Sequence, residues 1–342
     1  MDTNEGKNNN RGSRFRLAVV IPTIGRYEEL RRMLRSVAAQ TRLPDEVIIA
    51  GEGEENEQVA REFPELHAKF INLPGSSICD ARNAGMEAAR PDADLIGFFD
   101  DDIVLEPQCF EALLRFWDSG PPDLGGVGCN LMNGMPMPGR RLRALPIVTR
   151  LGLYDSAKGI VLRSGFHTTL SARADISSAG STVPTPDGHP AAPVVEQDLY
   201  VRWLPSWAVV YSRKVLAEFT WDEWFEGYSY LEDLDLSYRV SKKYRLAVVS
   251  GARFYHYPSK TGRLDPYLLG KKEVLNRLYF VSKHPELSGP LCCLALTIRA
   301  AMSLFLGLAH RDASYFKRVA GNVAGFAQAA MGRIEPVSGG IR

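Results

Sequence analysis

The chain has 342 residues, 45% hydrophobic and 24% charged, which excludes wholesale disorder and fibrous repeats and allows one large domain with an appendage. Its 41 Lys and Arg balance 40 Asp and Glu, so no global field favours nucleic acid, and any charge argument is local. Five cysteines (Cys79, Cys109, Cys129, Cys292 and Cys293) are odd in number and contain no CxxC pair; this argues against a disulfide framework or zinc ribbon and fits a reducing, cytoplasmic compartment.

Residues 1–14 are polar, with no apolar stretch before Leu17, and read as a disordered leader rather than a secretory signal. An apolar run at 17–21 stops at Pro22, and Leu30, Met33, Leu34, Val37 and Ala38 follow at helical spacing, so the chain opens as strand, loop, helix. The beat repeats with strands at 47–50, 69–73 and 95–99 and helices at 58–63 and 81–89. This alternation predicts an α/β fold with a mainly parallel, doubly wound sheet covered on both faces. Ligands of such sheets sit beyond the carboxyl ends of the strands, which directs attention to 22–26, 51–55 and 100–102. Segments 120–146 and 177–193 are rich in Gly, Pro and small residues and read as loops. Periodicity returns at 201–216 and 231–240, before a strand-like run at 246–249.

Asp100, Asp101 and Asp102 directly follow the apolar run LIGFF. They repel one another at the mouth of a buried strand, and a hard divalent ion bridging diphosphate oxygens would compensate; a solvated acidic turn is the alternative. A second acidic set, Glu232, Asp233 and Asp235, lies in YLEDLDLSYRV after the aromatic segment WDEWF. On a helix Glu232 and Asp235 share a face while Asp233 points elsewhere. A carboxylate beside aromatic surface suits general-base work, although acids at a helix N-terminus are favoured by the dipole alone. His256, between Tyr255 and Tyr257, is open to a metal or a structural role. Lys260 and Arg263 behind it form a basic loop fit for phosphate; Arg82 with Asn83 offers another anion contact, or Arg82 is a surface cation.

Taken in order, these segments resemble glycosyltransferase family 2, inverting enzymes of the type-A nucleotide-sugar fold, over about residues 16–263. VVIPTIGRYEELRRMLRSVAAQT is similar to the family's opening strand and helix, which implies Pro22, Thr23 and Arg26 against the nucleotide. DEVIIAGEG falls where the family usually shows paired aspartates before glycine; here the pair is Gly51 and Glu52, and the resemblance implies that Glu52 accepts the base imide N–H. SSICDARNAG resembles the segment whose arginine, Arg82, meets the diphosphate. FFDDDIVLEP looks like the DxD element, implying Asp100 and Asp101 at the nucleotide sugar and Asp102 as a metal ligand. VRWLPSWAVVYSRKVL is similar to the acceptor-side element, with Trp203, and with Ser206 where glycine is common. EDLDLSYR matches the ED motif, which implies Asp233 as the catalytic base and Glu232 on the acceptor side. His256 and the following SKTGR resemble the late metal and diphosphate loop, adding His256 as a metal ligand and Lys260 and Arg263 as diphosphate contacts.

The resemblance implies an inverting transferase that uses Mn²⁺ or Mg²⁺. It would move a hexosyl or deoxyhexosyl group from a nucleoside-diphosphate sugar to a hydroxyl acceptor in bacterial cell-surface polysaccharide or glycolipid synthesis. A non-catalytic nucleotide-sugar-binding or membrane scaffold protein is the alternative. No GxxxxGK[ST] is present, and Ile103 with the late position of the Asp triplet disfavours a phosphohydrolase with an aspartate nucleophile.

The nucleotide-sugar domain is expected at 15–263, with a helical region at 264–342. Within the latter, residues 290–308 are interrupted only by Arg299. That length approaches a membrane span, but a central arginine costs about 2.5 to 3.5 kcal/mol on insertion scales. Residues 271–318 carry eight Lys and Arg against three acids. An apolar helix with basic flanks suits contact with an anionic membrane through 288–318, at the inner face of the cell membrane where a lipid-linked acceptor would be presented. A helical hairpin packed on the catalytic domain or in a dimer interface fits the same features. Gly321 and Gly325 form a small-xxx-small pair.

Overall fold

The computed structural model describes residues 13–133, 155, 157–170, 195–259 and 264–338. The expected leader over 1–12, the segment 177–193, and Lys260 and Arg263 lie outside the described residues.

The chain opens with β1 (Leu17–Ile24), α1 (Tyr27–Ala38), β2 (Glu46–Glu52), α2 (Glu55–Arg61), β3 (Lys69–Asn72), α3 (Ile78–Ala88) and β4 (Leu95–Phe99). It continues through β5 (Ile103–Leu105), α4 (Cys109–Ser119), β6 (Leu124–Leu131), β7 (Leu199–Val201), β8 (Ala208–Ser212), α5 (Arg213–Leu216), α6 (Glu232–Ser241) and β9 (Arg245–His256). The described strands form one sheet in the order β3-β2-β1-β4-β8-β6-β9-β5, with β7 on β9. β1 pairs in parallel with β2 and β4, and β2 with β3. β8 runs antiparallel between β4 and β6, β9 is parallel to β6, and β5 and β7 are antiparallel to β9. The sheet is therefore mixed but mostly parallel, as the alternation of runs predicts.

Both faces of the sheet are covered. Val19, Ile21, Val47 and Ile49 enter one core with Leu30, Met33 and Leu34 of α1, while Ala18, Val20 and Ile48 enter the other with Cys79 of α3. Burial on both sides is why these strands read as unbroken apolar runs rather than alternating ones.

One expectation is corrected here. The segment 120–146, read as loop, contains the wholly buried strand β6. Its glycines are spacers for large neighbours: a side chain on Gly125 would strike Tyr244, one on Gly126 the Tyr211 ring, and one on Gly128 Leu204. Composition here reported close packing, not a turn.

Three helices follow the sheet: α7 (Pro266–Ser282), α8 (Gly289–His310) and α9 (Ala313–Ala330). A side chain at Gly270 would collide with the Arg318 carbonyl and one at Gly321 with the Tyr267 carbonyl, so α7 and α9 cross backbone to backbone. The buried Glu273 carboxylate on α7 accepts from Arg299 Nε at 3.1 Å and Arg318 Nε at 2.9 Å, tying the three helices together.

Candidate active site

Strand register assembles the acidic triplet. β1 and β4 pair Val20 with Phe98, and three residues further on Thr23 Oγ1 donates to Asp101 Oδ2 at 2.7 Å. Arg26, where α1 begins, donates through Nη1 to Asp101 Oδ1 at 3.0 Å and lies 3.6 Å from Asp102 Oδ2. Asp101 is buried, which pushes its carboxyl up to about 7 even though Arg26 and Thr23 favour the charged form. Thr23, Arg26 and Asp101 thus bond to one another and brace the loop from within. Pro22 is buried in β1 opposite Ala50.

The antiparallel pairing of β5 with β9 sets Ile103 opposite His256 and so brings His256 to the neighbouring Asp102. His256 Nε2 lies 3.1 Å from Asp102 Oδ1, and the Ser259 N–H reaches Oδ2 at 3.3 Å. Burial opposes the Asp102 charge, but His256, the Ser259 N–H and Arg26 outweigh it and hold the carboxyl below its ordinary range. The donor set fits a hard or borderline divalent ion: an ionised carboxylate oxygen and an imidazole nitrogen converge, with a second carboxylate, Asp100, two residues away. Among the described residues no three His, Cys, Asp or Glu side chains gather into a metal cage. Such an ion would therefore be held by few protein ligands.

Arg82 joins this cluster to the second acidic set. Only 1% exposed, it donates through Nη2 to Asp100 Oδ1 at 3.0 Å and to Ser206 Oγ at 2.9 Å, and through Nη1 to Glu232 Oε1 at 2.8 Å. Its guanidinium also lies over the Trp221 ring at 4.6 Å. Ser206, which stands where the family commonly has glycine, donates in turn to Glu232 Oε1 at 3.3 Å, a bridge that glycine could not make. Arg82 is thus neither the free surface cation nor, as it stands, an open anion contact. Asn83 is likewise occupied, exchanging hydrogen bonds with the Trp221 backbone at 3.0 and 3.1 Å.

The ED motif forms the first turn of α6, entered through Leu231 in a left-handed conformation (φ 78°). Glu232 and Asp235, three apart in α6, take different partners. Glu232 turns to Arg82, whereas the wholly buried Asp235 pairs with Arg239 at 2.8 Å and Lys283 at 2.6 Å. Asp233 is only half-buried and accepts from the Leu234 N–H at 2.7 Å, so it is the more accessible of the two site carboxylates. Burial raises both carboxyls, Glu232 to about 8 with Asp233 adding to the effect, so ionising the pair is costly below alkaline pH.

Glu52 is exposed at the end of β2 and accepts from the Gly75 N–H at 3.0 Å. Its neighbour Gly51 is required by shape, since a side chain there would run into the Thr23 carbonyl at a φ of 157°. Trp203 is buried against His167, with its indole N–H on the Thr168 carbonyl at 3.0 Å.

Three groups of residues at the site escape sequence reasoning. Trp207 stacks on His256 at 5.5 Å, and its carbonyl accepts from the Asp100 N–H at 2.9 Å. Tyr228 lies within the field of Glu232 and Asp100, which together with burial raises its phenol. Its loop is pinned from α7, where Lys272 Nζ donates to the Glu226 carbonyl at 2.8 Å and Asn276 Nδ2 to the Tyr230 carbonyl at 2.7 Å. The local signal for Tyr228 was an aromatic beside Gly227 just ahead of the ED helix; nothing local marked Lys272 or Asn276.

Residues 18–167 match the family model "Glycosyl transferase family 2". The uncharacterized glycosyltransferase YwdF of Bacillus subtilis (strain 168) is 35% identical over 103 residues, a stretch that spans 30% of this chain and 38% of that protein. Among solved structures, the mannosyltransferase PcManGT from Pyrobaculum calidifontis, in complex with GDP-Man and Mn²⁺, superposes with a TM-score of 0.50 at 11% identity, covering 93% of this chain and 91% of that one. GalNAc-T7 with UDP, GalNAc and Mn²⁺ gives a TM-score of 0.51 at 14% identity, covering 72% of this chain and 44% of that one. At these identities the superpositions speak to fold alone, and the fold they share is that of type-A glycosyltransferases. Residues 18–167, which carry β1, β2 and β4 with the Asp triplet, thus match glycosyl transferase family 2, and the sheet has the architecture of type-A glycosyltransferases.

Proposed function

We propose that the protein is an inverting, metal-dependent glycosyltransferase that moves a hexosyl or deoxyhexosyl group from a nucleoside-diphosphate sugar to a hydroxyl acceptor. The observation that carries this reading is the pairing of two carboxylate sets through one buried arginine. Asp100 to Asp102 with His256 stand on one side of Arg82, and Glu232 with Asp233 on the other. The ligands of the structural neighbours, GDP-Man with Mn²⁺ in one and UDP, GalNAc and Mn²⁺ in the other, support the same reading.

In this reading Glu52 accepts the imide N–H of the base, and Pro22 and Thr23 flank the nucleotide. Asp102 and His256 hold Mn²⁺ or Mg²⁺, which when bound neutralises charge on the leaving diphosphate. Lys260 and Arg263 add cationic contacts to that diphosphate. Asp100 faces the donor with one carboxylate edge while Arg82 restrains the other. Asp233 takes the proton from the acceptor hydroxyl as that oxygen attacks the anomeric carbon from the face opposite the diphosphate, and one displacement inverts the configuration. Glu232, held by Arg82 and Ser206, fixes the start of α6 and thereby the position of Asp233. Trp207 keeps the His256 ring in place by stacking. The proposed setting is the cytoplasm at the inner face of the cell membrane, in the synthesis of a cell-surface polysaccharide or glycolipid.

Asp233→Asn tests the assignment. Transfer is expected to fall by at least about 10³-fold while nucleoside-diphosphate binding stays within about twofold, because the change removes a proton acceptor and no donor contact. Retained transfer would remove Asp233 from the base role.

A further inference from the structure

The helix α8 is long and apolar enough by composition to cross a membrane, yet only 22% of its most apolar stretch is buried. Its packed side is the stripe Cys292, Leu296, Ser303 and Gly307. The opposite side presents Leu294, Ile298, Met302, Phe305 and Leu308, with Phe305 69% and Leu308 64% exposed. These spacings of four, four, three and three residues hold one face for about 21 Å at about 1.5 Å per residue.

The chemistry of that face points to lipid. No acidic residue occurs between Glu286 and Asp312. The exposed Thr297 hydroxyl is turned back onto the Cys293 carbonyl at 2.8 Å, which leaves no outward polar demand. Arg299, the residue that argues against a membrane-crossing helix in the sequence, pairs its guanidinium with Glu273 of α7 on the packed side. Where the row ends, the exposed His310, Arg311 and Lys317 outnumber the one exposed acid, Asp312, and leave a rim of basic excess complementary to anionic head groups. A protein partner would be expected to meet hydrogen-bonding groups within so large a patch, and this one offers almost none.

We propose that α8 is a monotopic docking surface that lies along an anionic bilayer with Leu294, Ile298, Met302, Phe305 and Leu308 inserted at the head-group boundary. This deepens the membrane part of the proposed function and rests on that part alone, not on the transfer chemistry. A crossing orientation is disfavoured by packing. α8 is bound along its inner face to α7 and α9, and α7 carries Lys271, Lys272, Glu273 and Arg277, which would have to enter the hydrocarbon with it.

The test is co-sedimentation of the full chain, without nucleotide, with vesicles of phosphatidylglycerol and phosphatidylcholine in equal parts, and with phosphatidylcholine alone. The expected result is binding to the mixed vesicles, weaker binding to the neutral ones, release by an alkaline carbonate wash, and at least about a tenfold loss of binding in Phe305→Glu/Leu308→Glu. That variant alters two outward side chains, so its thermal melt should match the parent; Phe305→Leu, which keeps the face apolar, should still bind. Three results would overturn the proposal. They are equal sedimentation of parent and double variant, resistance to the alkaline wash, and a lipid-free dimer that the double variant dissociates with no vesicle binding by either protein. Because no nucleotide is present, the outcome stands whether or not sugar transfer is observed.

Discussion

Replacing Arg82 with methionine removes the only cation that contacts both Glu232 and Asp100 among the described residues, while largely keeping the volume beneath Trp221. Glu232, 8% exposed, would then stand beside Asp233 with its direct cationic partner gone and only the more distant Lys272 opposing the repulsion. Breaking a buried ion pair from one side costs about 3 to 5 kcal/mol, and the 25% exposure of the Asp100 side chain argues for the lower end, about 3 kcal/mol. The sign with pH follows from the carboxyls. Burial already raises Glu232 to about 8 from 4.5, and loss of Arg82 raises it further, so the deficit is full when the carboxylates are ionised and shrinks once they are protonated. Urea unfolding at pH 9 should show a deficit of more than about 1 kcal/mol, still growing with pH, and at pH 5 a smaller one, because Glu232 is then protonated in both proteins. Arg82→Met/Glu232→Gln should recover at least about 1 kcal/mol at pH 9 relative to the single variant, since it removes one orphaned charge. A deficit below about 1 kcal/mol at pH 9, or one equal at both pH values, would refute the view of Arg82 as the electrostatic joint between the carboxylate sets.

Two further outcomes follow from the shifted groups. The base must be ionised to act, and burial raises Asp233 and its partner Glu232, so kcat/KM should climb with pH between neutrality and about 8; Glu232→Gln should move the climb to lower pH, and a limb that stays in place would exclude the pair as its source. Lys272 is wholly buried and burial lowers its ammonium to about 8, so below pH 8 the folded state carries a penalty of about 3 kcal/mol that fades as pH approaches 10.5. Lys272→Met should therefore gain on the parent most at pH 7 and least near pH 10 in urea unfolding, and a difference independent of pH would show that the amine is not buried as described.

The parallel half of the sheet was legible because strands covered on both faces must be apolar throughout, and 17–21, 47–50 and 95–99 are. β6 was not, since its glycines serve Tyr211 and Tyr244, which lie far away in sequence. At the site, the spacing of Asp100 to Asp102, Glu232, Asp233 and His256 could be read because each sits at a strand end or a helix start. What could not be read was which carboxylate meets which cation. The register of β5 on β9 pairs Asp102 with His256, and the long reach of Arg82 ties Asp100 to Glu232 across 150 positions of chain. Trp207, four residues after Trp203, could not be singled out for the same reason, since only the fold stacks it on His256.

The central claim, that this constellation binds a nucleoside diphosphate with a divalent ion, is met most directly by calorimetric titration of the full chain. The ligands are UDP, dTDP, GDP and CMP, each with Mn²⁺, Mg²⁺ or EDTA. The account predicts that one nucleoside diphosphate binds with the metal, that EDTA abolishes the binding, and that His256→Ala weakens the metal-dependent part. Heat-silent titrations for every nucleotide, with metal and without, would contradict it.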